Sequence, residues 1–374
     1  MKKIISIILL LLGILLFSNI SVMAQTKTAE NQFKDKTMEA KVEKILSEKQ
    51  ITPLKLEKPQ LYQKLELLIT EGSLKNKKII VENGNLPIAN IPKYKINDQV
   101  IVTHSKDFEG KDIFYITDYV RRNSLGWLFL IFITLTILIA KWRGLTSLMG
   151  MGISFLVIFF FILPRILTGS NPVETTILGS LIIIPVSFFF SHGFNKKTLI
   201  AICGTLIALI ITGVLASVFV EASRLTGFFS EEAGFLQIAK QGTLNMKGLL
   251  LAGIIIGVLG VLDDITISQS AIVQQLKAAN PRLKAEELYK KAMDVGKDHI
   301  ASMVNTLILV YTGAALPLLL LFINNPHPFS EIINYEIIAS EIVRTLVGSI
   351  GLILAVPITT TIAALAVTQK KQDG

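Results

Sequence analysis

The chain has 374 residues, of which 51% are hydrophobic, and its formal net charge is +9 at pH 7. The apolar residues are concentrated in blocks about as long as a bilayer-spanning helix needs, so we predict an integral membrane protein and exclude the soluble classes. Positive charge lies at the ends of these blocks and in one polar region, and no nucleic-acid-binding motif accompanies it. Composition therefore predicts the lipid bilayer as a partner and no nucleic acid.

The first residues have the pattern of a secretory signal peptide, predicted over residues 1–24. Lys2 and Lys3 form a basic start, Ile4 to Phe17 form the apolar stretch, and Val22-Met23-Ala24 is an acceptable cleavage site. The following residues are therefore predicted to lie outside the cytoplasm.

Residues 25–123 are polar and rich in lysine, and they contain five short alternating runs separated by turn signals such as Asn83-Gly84-Asn85. This pattern predicts a small extracytoplasmic β-rich domain, for which an OB-like fold is one candidate. The runs lie near Ala40–Leu46, Leu61–Thr70, Lys78–Glu82, Gln99–Ser105 and Asp112–Tyr119.

The remaining chain, residues 124–369, is predicted to be an α-helical membrane domain of about seven transmembrane helices, followed by a cytoplasmic tail at 370–374. If residue 124 lies outside, the inner connections hold twelve Lys and Arg against four in the outer ones. This bias and the signal peptide agree on the orientation. The spans are placed near 125–140, 145–163, 175–191, 198–220, 248–271, 300–322 and 342–367.

Two adjacent acids, Asp263 and Asp264, lie inside the fifth predicted span. A charge in hydrocarbon is costly, so the pair must face protein, water or a bound ion, and intramembrane acids usually mark transport pathways. Acids that bond neighbouring backbone are the structural alternative. On the sixth span, Asn305 and Thr306 are expected at the depth of Asp264, with Tyr311 near mid-membrane. We therefore predict one oxygen-rich site for a hard cation or a proton, formed by Asp264, Asp263, Ser268, Asn305, Thr306 and Tyr311.

Other residues of the spans suggest packing and gating roles. Gly253, Gly257 and Gly260 are predicted to allow close helix approach. Glu341 and Arg344 begin the seventh span, where a local ion pair near the headgroups is the simpler interpretation and an outer gate is the functional one. The single cysteine, Cys203, is expected to be a small buried residue, and one cysteine forms no intrachain disulfide or thiolate metal site.

Several long motifs resemble the YibE/F-like family of bacterial membrane proteins. These are Gly253 to Asp264 with its glycine spacing, Asp298-His299-Ile300 to Asn305-Thr306-Leu307, Tyr311-Thr312-Gly313 to Pro317, and Glu341 to Leu352. The resemblance covers roughly Arg121 to Thr368. It implies a β-rich region before the first span and a transport or efflux function. It also implies that Asp264 is the essential acid, with Asp263 auxiliary.

Enzyme signatures are missing from the sequence: it has no G-x-x-x-x-G-K-[ST], no H-E-x-x-H and no G-x-S-x-G. We predict no enzyme and no cofactor, and the metal preference is left open. The leading hypothesis is a permease or efflux transporter of the cytoplasmic membrane, for an ion or small molecule, with an intramembrane acidic site. The alternative is an envelope scaffold or membrane-complex subunit whose outer domain binds a protein partner. An intramembrane enzyme is a third, weaker alternative.

Overall fold

The computed structural model describes residues 36–52, 59–85, 91–106, 110–323 and 327–368. The predicted signal peptide at 1–24 and the tail at 370–374 lie outside these ranges. The chain divides into two compact units, and the boundary along the chain falls between Leu135 and Thr136. The first unit is built on a β-sheet, and the second is helical.

Five antiparallel strands form one sheet, in the order β3-β2-β1-β4-β5. The structure confirms the five predicted strands and lengthens the first. Alternating residues such as Val42, Leu67 and Val100 are fully buried on one side, as the period of a strand requires. The outermost strands β3 and β5 contact each other, which curls the sheet around this core. The strands are β1 Lys36–Ile51, β2 Gln60–Glu71, β3 Lys78–Asn83, β4 Gln99–Lys106 and β5 Asp112–Tyr119.

Ten α-helices and one π-helical turn follow within the described residues. Helices α4, α6 and α10 pack against one another, while α3 packs on α6, and α7 packs on α6 and α10. The segments are α1 Arg122–Val157, the π-helical turn Ile158–Ile162, α2 Leu163–Leu167, α3 Pro172–His192, α4 Lys196–Ala222, α5 Glu231–Ala239, α6 Met246–Ala279, α7 Ala285–Ala314, α8 Leu316–Ile323, α9 Phe329–Ile332 and α10 Glu336–Thr368.

Five helical stretches in the described chain are long and apolar enough to cross a membrane, or six if α7 and α8, bent by 68° at their junction, count as one span. The sequence predicted seven. The difference arises at Arg122–Leu167, a continuous 46-residue stretch that contains the first two predicted spans. Lys141 interrupts it, because its backbone angles (φ 52°, ψ −132°) are not helical.

Small residues and buried hydroxyls hold the central helices together. A methyl group at Gly204 of α4 would overlap Thr359 of α10, and one at Gly351 of α10 would overlap Thr212 of α4. The hydroxyls of Thr205 and Thr266 are 2.7 Å apart, which joins α4 to α6. Such close backbone approach and interhelical hydrogen bonding are what stabilise helices in a bilayer. Cys203, expected to be buried, is exposed on α4 because its neighbours in sequence face this contact.

Candidate functional site

Asp263 and Asp264 both line a cavity of about 700 Å³ among α1, α3 and α6. The acids lie near the middle of the 34-residue α6. The wall is apolar over most of its extent, with side chains such as Phe155, Ile184 and Leu259, and small hydroxyls are set among them. The polar residues of the lining are Thr136, Arg143, Ser147, Ser154, Ser187, Ser191, His192, Asp263 and Asp264.

The two acids have different surroundings. Asp263 is half-buried, and its Oδ2 accepts a hydrogen bond of 2.8 Å from the Ser187 hydroxyl. Its other oxygen, Oδ1, is buried and has no hydrogen-bond partner in the described part of the chain. Asp264 is exposed and forms no hydrogen bond or ion pair with any residue that the structure describes. Asp263 is therefore held by the protein, whereas Asp264 is available to whatever fills the cavity.

Helix α3 supplies the hydroxyls opposite the acids. It begins at Pro172, where the side chain of Asn171 accepts from the Val173 N–H and caps the first turn. Ser187 and Ser191 are four residues apart and share a face, so both meet the cavity. The Ser191 hydroxyl lies 3.3 Å from that of Ser147 on α1. A line of hydroxyls thus runs along α3 from Asp263 toward the end of the helix.

A second cavity, of about 300 Å³, adjoins the first, because Arg143, Ser191 and His192 line both. It lies where α3 ends and α4 begins. Its lining is polar, with two cationic side chains and no acid: Arg143, Ser191, His192, Asn195, Lys197, Ala271, Gln274 and Gln275. The acids can therefore be reached through polar groups from one end of the bundle. Over the described ranges, no group of three or more His, Cys, Asp or Glu is placed to hold a metal ion.

The predicted oxygen-rich cluster is not formed as expected. Asn305 and Thr306 are exposed on α7, and neither lines the cavity of the acids. The Thr306 hydroxyl bonds the Ser302 carbonyl of its own helix at 3.0 Å. Ser268 is half-buried on α6 and does not line this cavity either. The structure brings together only the two acids, and it replaces the other predicted ligands with serines of α1 and α3.

Helix α7 contacts α6 on either side of Asn305. Near one end of the contact, the Gln269 amide donates to the Ala292 carbonyl at 3.1 Å. Near the other, the Tyr311 hydroxyl lies 3.4 Å from the place of a Cβ on Gly257. Asn305 lies between these contacts in sequence, but its side chain is exposed and does not line the cavity of the acids.

The prediction of close packing at three glycines of α6 is wrong for two of them. Gly253 and Gly260 have no atom within 4 Å of the place that a Cβ would occupy. Gly260 instead lines the cavity, next to the acids. Gly257 is in ordinary contact with Tyr311. The close helix contacts are made by other glycines, because the face of α6 that carries Gly253 and Gly260 is turned away from α4 and α10.

Glu341 and Arg344 form the expected local pair, with 3.2 Å between the carboxylate and the guanidinium. Arg344 also lies over the ring of Phe229, 5.5 Å from its centroid, and its Nε is buried without a partner. Glu336 fixes the loop that carries Phe229, because its carboxylate accepts from the N–H groups of Thr226, Gly227 and Phe228 at 2.7–3.1 Å. These contacts connect α10 to the loop after α4.

A family model described as YibE/F-like protein matches residues 128–369. The chain belongs to the YibE/F-like family. No curated protein and no solved structure shows significant similarity to it. The matched region contains every residue of the two cavities, so the acidic site lies in the part of the chain that defines this YibE/F-like protein.

The sequence interpretation missed the polar residues that share the cavity with the acids in this YibE/F-like protein, namely Ser147, Ser187, Ser191, Arg143 and His192. A signal was present on α3, where Ser187 and Ser191 are spaced by one helical turn in an otherwise apolar block and follow Pro185. Serines in such blocks are common, however, and only the contact of α3 with α6 distinguishes these two.

Proposed function

We propose that this YibE/F-like protein is a permease of the bacterial cytoplasmic membrane, in which Asp264 carries a coupling ion or proton. The observation that supports this most is the cavity of about 700 Å³ that reaches both acids and adjoins a polar cavity at the end of the bundle. Acids inside a membrane domain are costly and therefore rare, and they usually mark a pathway. The cavity offers space for an ion with its water, or for a small molecule.

The unequal surroundings of the acids suggest unequal roles. Asp264 forms no hydrogen bond or ion pair with a residue that the structure describes, and it lines the cavity, so it can exchange an ion or proton without breaking such a bond. Asp263 is fixed by Ser187 and keeps one buried oxygen unpaired. In this proposal, Asp263 supports the site by adding negative charge next to Asp264, and Asp264 binds and releases the coupling ion or proton.

We propose seven spans with the β unit outside and the C-terminus in the cytoplasm. The break at Lys141 supports two spans in the stretch Arg122–Leu167. A methyl group at Gly144 would overlap the carbonyl oxygen of Thr136, although residues eight apart on a straight helix are separated by about 12 Å. Such an approach requires a sharp turn. The stretch, at 46 residues, is also about twice as long as one span requires.

The ion pair of Glu341 with Arg344 is proposed as the outer gate of this pathway. It lies on α10 near Tyr311, whose hydroxyl meets α6 at Gly257. Opening would separate the guanidinium from the Phe229 ring and from Glu341. The local pair at the headgroups, without a gating role, is the simpler alternative.

The alternative function, an envelope scaffold, is favoured by the β unit. Its five strands form a folded sheet with its own buried core, and we propose that it is OB-like, a fold that presents a strand face and loops to ligands. In the scaffold hypothesis this unit binds a protein partner, and the acids only help to pack the helices.

Proteoliposomes containing the purified protein and an internal pH-sensitive dye would test the permease. An imposed membrane potential should drive proton or cation flux in the wild type, and a substrate screen should find a solute that increases it. Asp264→Asn should abolish the flux with little change in melting temperature, because an amide keeps the shape and removes a partly desolvated charge. Asp263→Asn should be milder, and Ser268→Ala, which lies outside the cavity, should have no effect. Full flux in Asp264→Asn, or a protein that unfolds, would favour the scaffold.

A further inference from the structure

Helix α7 carries a polar face that the site does not use. The face consists of four polar residues, Ser302, Asn305, Thr306 and Thr312, together with Leu309 and Gly313, and all six are exposed and repeat at helical spacing. The opposite side of the helix is buried, at residues such as Leu307, Gly296 and Ala292, and packs on α6 and α10. The bundle therefore turns these polar residues of α7 outward, as in a soluble helix, although the outward side of a helix in a membrane domain meets lipid.

The proposed topology, on which this inference rests, puts the polar face at the level of the hydrocarbon. Asn305 lies between Ala292 and Tyr311, which contact Gln269 and Gly257 of α6, so it lies opposite the middle turns of α6. Its amide has no hydrogen-bond partner among the described residues. An amide group exposed to lipid without a partner is strongly unfavourable, so a polar group from outside this helix bundle should cover it.

We propose that the polar face of α7 is a dimer interface, in which Asn305 pairs with Asn305 of a second copy across a two-fold axis. A side-chain amide has both donors and an acceptor, so two identical amides satisfy each other. A two-fold axis brings the same residue of each copy to the centre of the contact. No charged residue lies on the face between Ser302 and Gly313, so two copies can approach without repulsion.

The sizes of the side chains fit the same geometry. Ser302 and Gly313 lie at the two ends of the face, and small residues let the backbones of paired membrane helices approach closely. A Cβ placed at Gly313 would meet no atom within 4 Å, so the space beside it is open within one copy. Helix α8, which follows the bend, is wholly apolar and has no buried residue, so it can extend the contact.

Cysteine cross-linking in membranes tests the interface. In a Cys203→Ala background, Ser302→Cys and Thr312→Cys should each form a disulfide-linked species of twice the monomer mass on mild oxidation. Val310→Cys is the matched control, because this residue is 61% exposed on the same helix but lies off the polar face. Equal cross-linking of all three variants would overturn the proposal. So would the absence of cross-linking in Ser302→Cys and Thr312→Cys, or a cross-link to a different protein.

The amide itself is tested by two substitutions measured in liposomes by single-molecule photobleaching. Asn305→Leu should weaken dimerisation by about three- to thirtyfold, the range expected for losing an interhelical hydrogen bond. Asn305→Gln, which keeps the amide, should restore most of the affinity. Neither variant should lower the melting temperature of the monomer, since the side chain faces away from the core. An unchanged dimer in Asn305→Leu, or loss of the dimer only together with unfolding, would refute the pairing.

Discussion

The hydroxyl of Ser187 donates a 2.8 Å hydrogen bond to Asp263 and thereby links α3 to α6 at the middle of the bundle. The bond joins residues 76 positions apart in sequence. It fixes one of two adjacent acids and leaves the other, Asp264, facing the cavity. The difference between the acids thus comes from one serine on a neighbouring helix.

Removing this hydroxyl should destabilise the protein only while Asp263 is charged. Ser187→Ala leaves the carboxylate with both oxygens unpaired, and we expect a cost of about 1–3 kcal/mol in the free energy of unfolding. In an Asp263→Asn background the same substitution should cost less, because an unpaired amide is easier to bury than a charge. Denaturant unfolding of the four proteins in micelles gives the coupling between the two sites. Additive effects would show that the bond does not hold the site.

Close packing of α4 on α10 can be tested at two glycines of one helix. Gly204→Ala should destabilise the protein, because the new methyl group would overlap Thr359. Overpacking typically costs about 1–3 kcal/mol, which corresponds to a fall of several degrees in melting temperature. Gly213→Ala is the control on α4, since nothing lies within 4 Å of its Cβ position. It should be neutral or stabilising, because alanine is the better helix former. Equal effects at both glycines would contradict the packing.

The proposed topology predicts which segments a membrane-impermeant thiol reagent reaches. In a Cys203→Ala background, single cysteines within 30–115 and 324–336 should be labelled in intact cells. Cysteines within 277–298 should be labelled only after permeabilisation, because the charge bias places this segment inside. A cysteine at Lys141 should behave like the inner segment, because this residue interrupts the stretch that we propose to be two spans. Outside labelling of 277–298 would refute the proposed orientation.

The β unit is expected to fold without the helices. Its buried core is made entirely by its own strands and the loop before β4, from Met38 to Val102. The isolated segment 25–118 should therefore be soluble, with the far-ultraviolet circular dichroism of a β protein and a cooperative thermal transition. A disordered or helical spectrum would show that the sheet depends on the membrane domain.

Stability of this unit should fall at strongly alkaline pH because of Tyr94. Burial raises the pKa of the Tyr94 hydroxyl to about 12, while an unfolded tyrosine titrates near 10. The folded state therefore favours the neutral phenol, so its contribution to stability is complete below about pH 10 and is lost as the pH rises to about 12. Tyr94→Phe should flatten this part of the profile and change stability little at pH 7. An unchanged slope in the variant would rule out Tyr94 as the cause.

Local patterns in the sequence were sufficient for the class of the protein and for most elements. Alternation with a period of two placed five strands, because a strand in a half-buried sheet exposes every second side chain. Hydropathy placed the helices, because bilayer thickness sets the length of an apolar run. The same hydropathy pattern identified Asp263 and Asp264 as two acids inside an apolar span. The number of spans stays a prediction, because the structure joins the first two predicted spans into the single stretch Arg122–Leu167, interrupted at Lys141.

Tertiary structure alone decided which residues surround the acids. The sequence predicted Asn305 beside the acids, but the packing of α7 on α6 and α10 leaves it exposed and outside their cavity. Likewise, Gly253 and Gly260 were predicted to allow close helix approach, yet the rotation of α6 points both glycines away from α4 and α10. Helical periodicity defines faces but not the neighbour of each face. That choice depends on the fit of all the helices together, so Ser187, 76 residues before Asp263, is recognised as its partner only in the folded bundle.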